Sequence, residues 1–362
     1  MKSSKVLIVI VVLLFTVLIP LSATGGKETP AAGASSAQMA SGLTFEKLRE
    51  YAKTGKPWPG VPGKGMKLGY AVNFAGNAFG DVVTESIRRV AGLAGIDTDK
   101  DFYYLDNKAD ATVALQNADI MLSKHPDVFI QFQLDAKANG IIAMKFKDAK
   151  IPMLAIDIPV PGATFVGVDN FRVAYMAGQA AIAQIEKRWG GWNGVDRVIM
   201  LTLPIGGQIT LLRAEGFAQA LADKYGPDVE KKIDRVDAGD GNTADGEKAS
   251  MSVLPKYPTA KHIVVTGIDD QAIQGFQAAA EILKRWNKDD YVTIGQGVDE
   301  LGRQLIRSGI EDASVAYFPE KYGEFLVPAA VALRLGIPIP AFVYVENVMI
   351  TKGNVDQYYP TK

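Results

Sequence analysis

A chain of 362 residues is too long for one ordinary hydrophobic core and long enough for two. Its 39 basic and 40 acidic residues leave a formal charge of −1, which provides no electrostatic grip on nucleic acid or an anionic membrane. The chain has no cysteine, which excludes disulfides, cysteine-based zinc sites and thiol nucleophiles, and only His125 and His262 offer imidazoles.

The N-terminus carries the clearest local signal. Lys2 and Lys5 precede an apolar run over 6–19, and Pro20, Ser22, Ala23, Thr24 and Gly25 follow. A positive start, a short apolar run and a small-residue exit predict a secretory signal peptide over residues 1–25 and an extracytoplasmic or periplasmic location. The run is short for a membrane span, which needs about 20 residues. Thr24 stands where a lipoprotein signal would place its cysteine, so lipidation by that route is excluded. Residues 26–65 are expected to form a flexible leader: 24–42 are mostly Ala, Gly, Ser, Thr and Pro, 44–53 carry a short apolar stripe, and 55–65 are rich in turn residues.

From residue 66 short apolar runs alternate with helical segments. Strands are expected at 66–72, 102–105, 128–131 and 153–156, with helices at 81–93, 111–122 and 136–149 between them. After Asp169 a long helix over 173–189 leads to strands at 197–201, 233–236, 262–266, 291–295, 314–318 and 343–350. Helices at 210–224, 244–254, 271–286, 301–307 and 323–335 separate those strands. Apolar strands alternating with helices predict an α/β fold of two doubly wound parallel sheets, covered on both faces. Ligands of such sheets bind beyond the carboxyl ends of the strands.

No enzyme signature is present. There is no G-x-S-x-G, no H-E-x-x-H and no phosphate loop, since Met66 follows the 60–65 stretch where a lysine is required. Both histidines precede apolar runs and read as loop residues. The 237–247 loop does not have calcium-loop spacing and reads as a polar helix cap. No cofactor or metal is therefore expected. The strand-end residues form a coherent set instead. Asn73, Phe74, Asn77 and Phe79 follow the first strand, Gln131 ends the third, and Asp157 follows the fourth. Asp169 marks the crossover, and Arg213 follows the Gly206-Gly207 turn. Asp269, Gln296 and Tyr317 follow or close later strands. Carboxylates, amides, a guanidinium and aromatic faces together suit a polyhydroxylated ligand. Any one Asp or Asn after a strand also suits a helix N-cap.

The segments LGYAVNFAGNAFGDVV (68–83), KHPDVFIQ (124–131), IPMLAIDIP (151–159), VGVDNFRVAYMAG (166–178), LLRAEGFAQAL (211–221), IDDQAIQG (268–275) and ASVAYFPEKYG (313–323) carry a family resemblance. In this order they make residues 66–352 resemble the type I periplasmic sugar-binding proteins, in particular the ribose-binding-like group. The resemblance implies two lobes joined by a three-segment hinge, residues 66–168 plus 318–346 and residues 169–317 plus 347–362, closing on a sugar. It implies ligand contacts at Asn77, Phe79, Gln131, Asp157, Arg213 and Tyr317, with Asp269 and Gln296 at hydrogen-bonding positions. Three positions depart from the pattern: Gly241 replaces an aromatic, Ile158 an arginine and Gly80 a second aromatic. The expected role is capture of a neutral monosaccharide or polyol by a monomer that serves an ABC importer permease, without catalysis. A receptor module for a membrane chemosensor is the alternative, and a carbohydrate-active enzyme using Asp157 with Asp269 a more remote one. Lactose-type repressors share the fold, but no DNA-binding helix-turn-helix precedes it here.

Overall fold

A computed structural model describes residues 42–361, so the expected export segment lies outside the described residues. Helix α1 (Phe45–Lys53) comes first. Then come β1 (Leu68–Val72), α2 (Ala78–Ala94), β2 (Phe102–Asp106), α3 (Ala111–Ser123), β3 (Val128–Gln131), α4 (Ala136–Asp148), β4 (Met153–Ile156) and β5 (Thr164–Gly167). The second series is α5 (Asn170–Trp189), β6 (Arg197–Thr202), α6 (Gln208–Tyr225), β7 (Ile233–Asp237), α7 (Thr243–Val253), β8 (Ile263–Gly267), α8 (Asp270–Ile282), β9 (Tyr291–Gly297), α9 (Glu300–Ser308) and β10 (Ala313–Ala316). Helix α10 (Gly323–Leu335), β11 (Phe342–Tyr344), β12 (Val348–Thr351) and α11 (Val355–Tyr358) end the chain.

Two six-stranded sheets result, ordered β11-β5-β4-β3-β1-β2 and β12-β10-β9-β8-β6-β7. Every pairing is parallel except β12 against β10. The chain passes between the sheets three times: between β5 and β6, between β10 and β11, and between β11 and β12. The crossover character follows from the sequence. Strands β1, β3, β4 and β8 are buried along their whole length, as both-face coverage by helices requires. Asn77, Asp110, Asp135, Asp169, Asn242, Asp269 and Asp299 each accept a backbone N–H in the first turn of the following helix. That capping role accounts for the Asp and Asn residues that follow the strands. Among the described residues no helix is long and apolar enough to cross a membrane.

Four features differ from the sequence expectation. The leader is not a free tether over its described part. Phe45, Leu48, Ala52 and Trp58 are buried in the core of the first lobe, α1 packs on α10, and the Trp58 N–H of the backbone donates to Leu93 O at 2.8 Å. Turn-rich composition hides this, because a few large side chains provide the packing. Strand β5 was not anticipated; it follows β4 through a turn without a helix, which breaks the rhythm used to find the others. The single strand expected at 343–350 is two strands in different sheets: Val345 N still bonds Gly167 O of the first sheet, while the Asn347 side chain already reaches Ala316 O of the second. Finally, Tyr317 and Phe318 leave the sheet after Ala316, with Phe318 at a φ of 53°.

Candidate ligand-binding cleft

The carboxyl ends of β1, β3 and β4 face those of β6, β8 and β9 across a cleft. It encloses a cavity of about 140 Å³ that is partly open to solvent. The rims meet where Gly207 approaches Ala136 of α4; a methyl group on Gly207 would lie 3.2 Å from the Ala136 Cβ. Gly207 has a φ of 77°, which, with this close approach, suits glycine.

The first lobe supplies an aromatic and amide wall. Asn73 and Phe74 leave β1, and Asn77 and Phe79 begin α2. Phe79 packs edge-on against Phe132 at 5.9 Å and against Tyr322 at 5.5 Å between ring centroids. Phe74 stands at the mouth with 46% of its surface exposed. Asn77 Oδ1 accepts from the backbone of Phe79 and Gly80, and Asn73 Oδ1 accepts from Leu134 N at 3.2 Å. The wall is therefore held by its own polar groups.

Asp157 ends this wall in left-handed backbone, at a φ of 56°, which Asp tolerates better than most residues. Its Oδ1 accepts from Val168 N at 3.2 Å, and the Tyr322 hydroxyl lies 3.0 and 3.2 Å from its two oxygens. Burial pushes its pKa up to about 6, opposed by the charge of Arg213 and by these hydrogen bonds. Asp157 is thus mainly ionised at pH 7 and acts as an acceptor.

The second lobe supplies most of the charge. Arg213, in α6, donates from Nε to Asn170 Oδ1 at 2.6 Å and from Nη1 to Ile268 O, with its guanidinium 5.1 Å from the Tyr317 ring. Its Nη2 meets no protein acceptor among the described residues. Asp269 caps α8 through Ala272 N at 2.9 Å. Burial beside Asp270 pushes its pKa up to about 8, so near pH 7 it is largely the neutral acid and can donate. Gln296 is held at both ends of its amide: it accepts from the Tyr317 hydroxyl at 2.7 Å and donates to Gly267 O at 3.3 Å. Asp240, Asp270 and Asp299 also line this wall.

Asn73, Phe74, Asn77, Phe79, Asp157, Arg213, Asp269, Gln296 and Tyr317 are thus brought together around one cavity. Gln131 and Asp169 lie outside its lining. Gln131 is buried within β3, and Asp169 caps α5 by accepting from Arg172 N at 3.1 Å. Sequence reasoning passed over Phe132, Leu134, Leu203, Thr210, Ile268, Asp240 and Asp299, and named Ile158 only as a departure from the family pattern. A polar residue at the end of a strand drew attention to Gln131, one position before the Phe132 ring. The apolar side chains Leu203 and Ile268 supply the second wall where an aromatic is missing. A Cβ on Gly241 would meet Ile268 Cγ2 at 3.0 Å and Asp269 Oδ2 at 3.2 Å, and its φ of 80° disfavours a side chain there. Both histidines lie outside the lining: His262 stacks on Trp189 at 4.8 Å, and His125 is exposed in a loop.

Residues 68–337 match a family model described as a periplasmic binding protein domain. No curated protein matches the sequence significantly. Among solved structures, the chain is similar to an ABC transporter solute-binding protein from Mycobacterium smegmatis with bound glycerol. The identity is 20%, the TM-score 0.69, and the match covers 82% of this chain and 98% of that one. An ABC transporter solute-binding protein from Bacillus halodurans with bound myo-inositol matches at 18% identity and a TM-score of 0.66, over 82% and 97% of the two chains. A periplasmic solute-binding protein from Actinobacillus succinogenes with bound D-allose matches at 17% and 0.65, over 81% and 100%. At these identities the likeness shows the two-lobed fold.

Proposed function

The chain belongs to the periplasmic binding protein domain family, and from that membership we propose that it captures a neutral monosaccharide or polyol in the cleft and delivers it to an ABC importer. The family binds solutes and is not an enzyme family, and its members work outside the cytoplasm. The observation that carries the ligand class is the division of labour between the walls. The first lobe offers aromatic rings, amides and the Asp157 carboxylate, and the second offers Arg213 with the carboxyl groups of Asp240, Asp269 and Asp299. Sugar hydroxyls donate to carboxylates and accept from a guanidinium, and the C–H face of a sugar packs on a ring. An acidic sugar would meet several carboxyl groups and one cation, which disfavours it. Glycerol, myo-inositol and D-allose in the neighbouring structures are all uncharged and hydroxyl-rich, which supports the same class.

The lobes are assigned to residues 66–168 plus 318–346 and 169–317 plus 347–362, with residues 1–25 directing export and the protein acting as a monomer. The three passages between the sheets support this division. Binding without turnover is tested by incubating the protein with D-allose, D-ribose, myo-inositol and glycerol, then analysing the bound fraction by native mass spectrometry and the released fraction by chromatography. Unchanged sugar in both fractions fits a carrier. Accumulation of a product refutes it.

A further inference from the structure

Behind the second-lobe wall lie two acidic side chains that the ligand reading does not use as a pair. Asp270 and Glu311 are each only 1% exposed. A methyl group placed on Gly295 would meet Asp270 Oδ1 at 2.3 Å and Glu311 Oε1 at 2.5 Å, so the two carboxyl groups converge on one point above that Cα. Neither Glu311 oxygen has a hydrogen-bond partner among the described residues. Asp270 is the opposite case. Its Oδ1 accepts from Ser314 Oγ at 2.6 Å, its Oδ2 accepts from Val298 N at 2.6 Å, and the Asp299 backbone N–H also donates to it.

We propose that Glu311 is a positioning residue: as the neutral acid it donates a hydrogen bond to Asp270, and through Asp270 it fixes the loop 297–299 that forms part of the cleft wall. Two buried carboxylates side by side cannot both ionise without a cation between them. Among the described residues the nearby cations are bonded to other groups, although the charge of Lys288 opposes the rise of Glu311. Lys288 donates to Asp312, Ile310 O and Thr293, and Arg188 is bound to Asp312. Arg303 donates to Val298 O and lies over Tyr359, and Arg213 is held by Asn170 and Ile268. Asp299 adds negative charge. The location of the proton follows from the donors. Three donors favour the anion on Asp270, and none favours it on Glu311. A carboxylic O–H on Glu311 gives its orphaned oxygens a partner.

The pair reaches the cleft through backbone. Gly297 and Val298 both have positive φ, at 128° and 59°, and the Val298 N–H is tied to Asp270. Gln296, Gly297 and Asp299 line the cleft on either side of that tie. Burial and the neighbouring Asp270 hold the Glu311 carboxyl well above the usual range. The folded state therefore keeps a proton that the unfolded chain releases, and stability falls as pH rises above the ordinary Glu value. Loss of the proton sets two negative groups against each other and loosens the loop.

This role deepens the reading of the cleft, but it is tested without ligand, so the two can fail separately. The full chain, Glu311→Gln and Glu311→Ala are unfolded in urea from about pH 6 to about pH 9. The wild-type midpoint should fall over that range. The Glu311→Gln midpoint should stay flatter and exceed wild type at the alkaline end, while Glu311→Ala should be weakened throughout. Hydrogen exchange in the 297–302 segment should be several-fold faster in wild type than in Glu311→Gln at the alkaline end and equal at the acidic end. Parallel profiles, or a Glu311→Gln variant as damaged as Glu311→Ala, overturn the assignment. A measurement on the wild type alone does not depend on how the variants fold. With ¹³C-labelled glutamate, its infrared spectrum at neutral pH should contain the C=O stretch of a neutral carboxylic acid, and a spectrum of ionised glutamate only overturns the assignment.

Discussion

Asp157 and Arg213 each hold the protein together and face the cleft. Asp157 accepts from Tyr322, on the second passage between the sheets, and from Val168, on the first, so it ties two hinge segments to the end of β4. Its pKa in the folded state, about 6, lies above the ordinary Asp value of about 3.9. The folded state therefore binds the proton more tightly, and the associated stability is complete below about pH 4 and lost as pH rises through about 6. Asp157→Asn keeps an oxygen for Tyr322 and Val168 but no longer titrates. Its urea midpoint should decline less than that of wild type between about pH 4 and about pH 6; identical slopes would place the titration elsewhere. The sequence made the polar set around the strand ends legible, because ligand contact and helix capping both select Asp and Asn after a strand. The same overlap made Asp169 indistinguishable from Asp269, although only Asp269 lines the cleft. Phe132 and Ile268 were not legible, since an apolar residue just past a strand looks like more strand.

At the scale of elements, the strand and helix alternation from β1 to β4 was readable because fully buried parallel strands are continuous apolar runs. Short strands of irregular spacing were less so: β5 gave no signal, and β11 and β12 read as one strand. The leader shows how composition misleads: residues 55–65 are rich in glycine and proline, yet Trp58 is 2% exposed, with its ring 6.5 Å from that of Tyr51. The neighbouring turn is pinned to the end of α2 by Gly63 N donating to Ala94 O at 2.8 Å. Replacing a buried Trp by Ala typically costs about 3–5 kcal/mol. Trp58→Ala should lower the stability of the folded chain by that amount in urea denaturation. A loss below about 0.5 kcal/mol, as for a surface site, would show that the leader is not part of the core.

For the whole molecule, the rims meet at Gly207 and Ala136, and Tyr317 and Tyr322 on one hinge segment bond to opposite lobes through Gln296 and Asp157. Groups from both walls reach one small ligand only when the lobes are together, so sugar binding favours closure. Small-angle scattering should give a smaller radius of gyration with sugar than without, whereas an unchanged profile at saturation would mean a rigid cleft. Arg213 decides whether the cleft is the binding site, because its Nη2 meets no protein acceptor among the described residues while its other nitrogens are anchored. A lost hydrogen bond to a charged group costs about 1.5–3 kcal/mol, and each 1.4 kcal/mol is about tenfold in affinity. The most direct measurement is calorimetric titration of the wild type and Arg213→Ala with D-allose, D-ribose, myo-inositol, glycerol and a uronic acid. The expected result is saturable binding of at least one neutral compound, tighter than that of the uronic acid and weakened roughly ten- to hundredfold in Arg213→Ala. Binding of none of the neutral compounds, preference for the uronic acid, or equal affinity in the variant would contradict it.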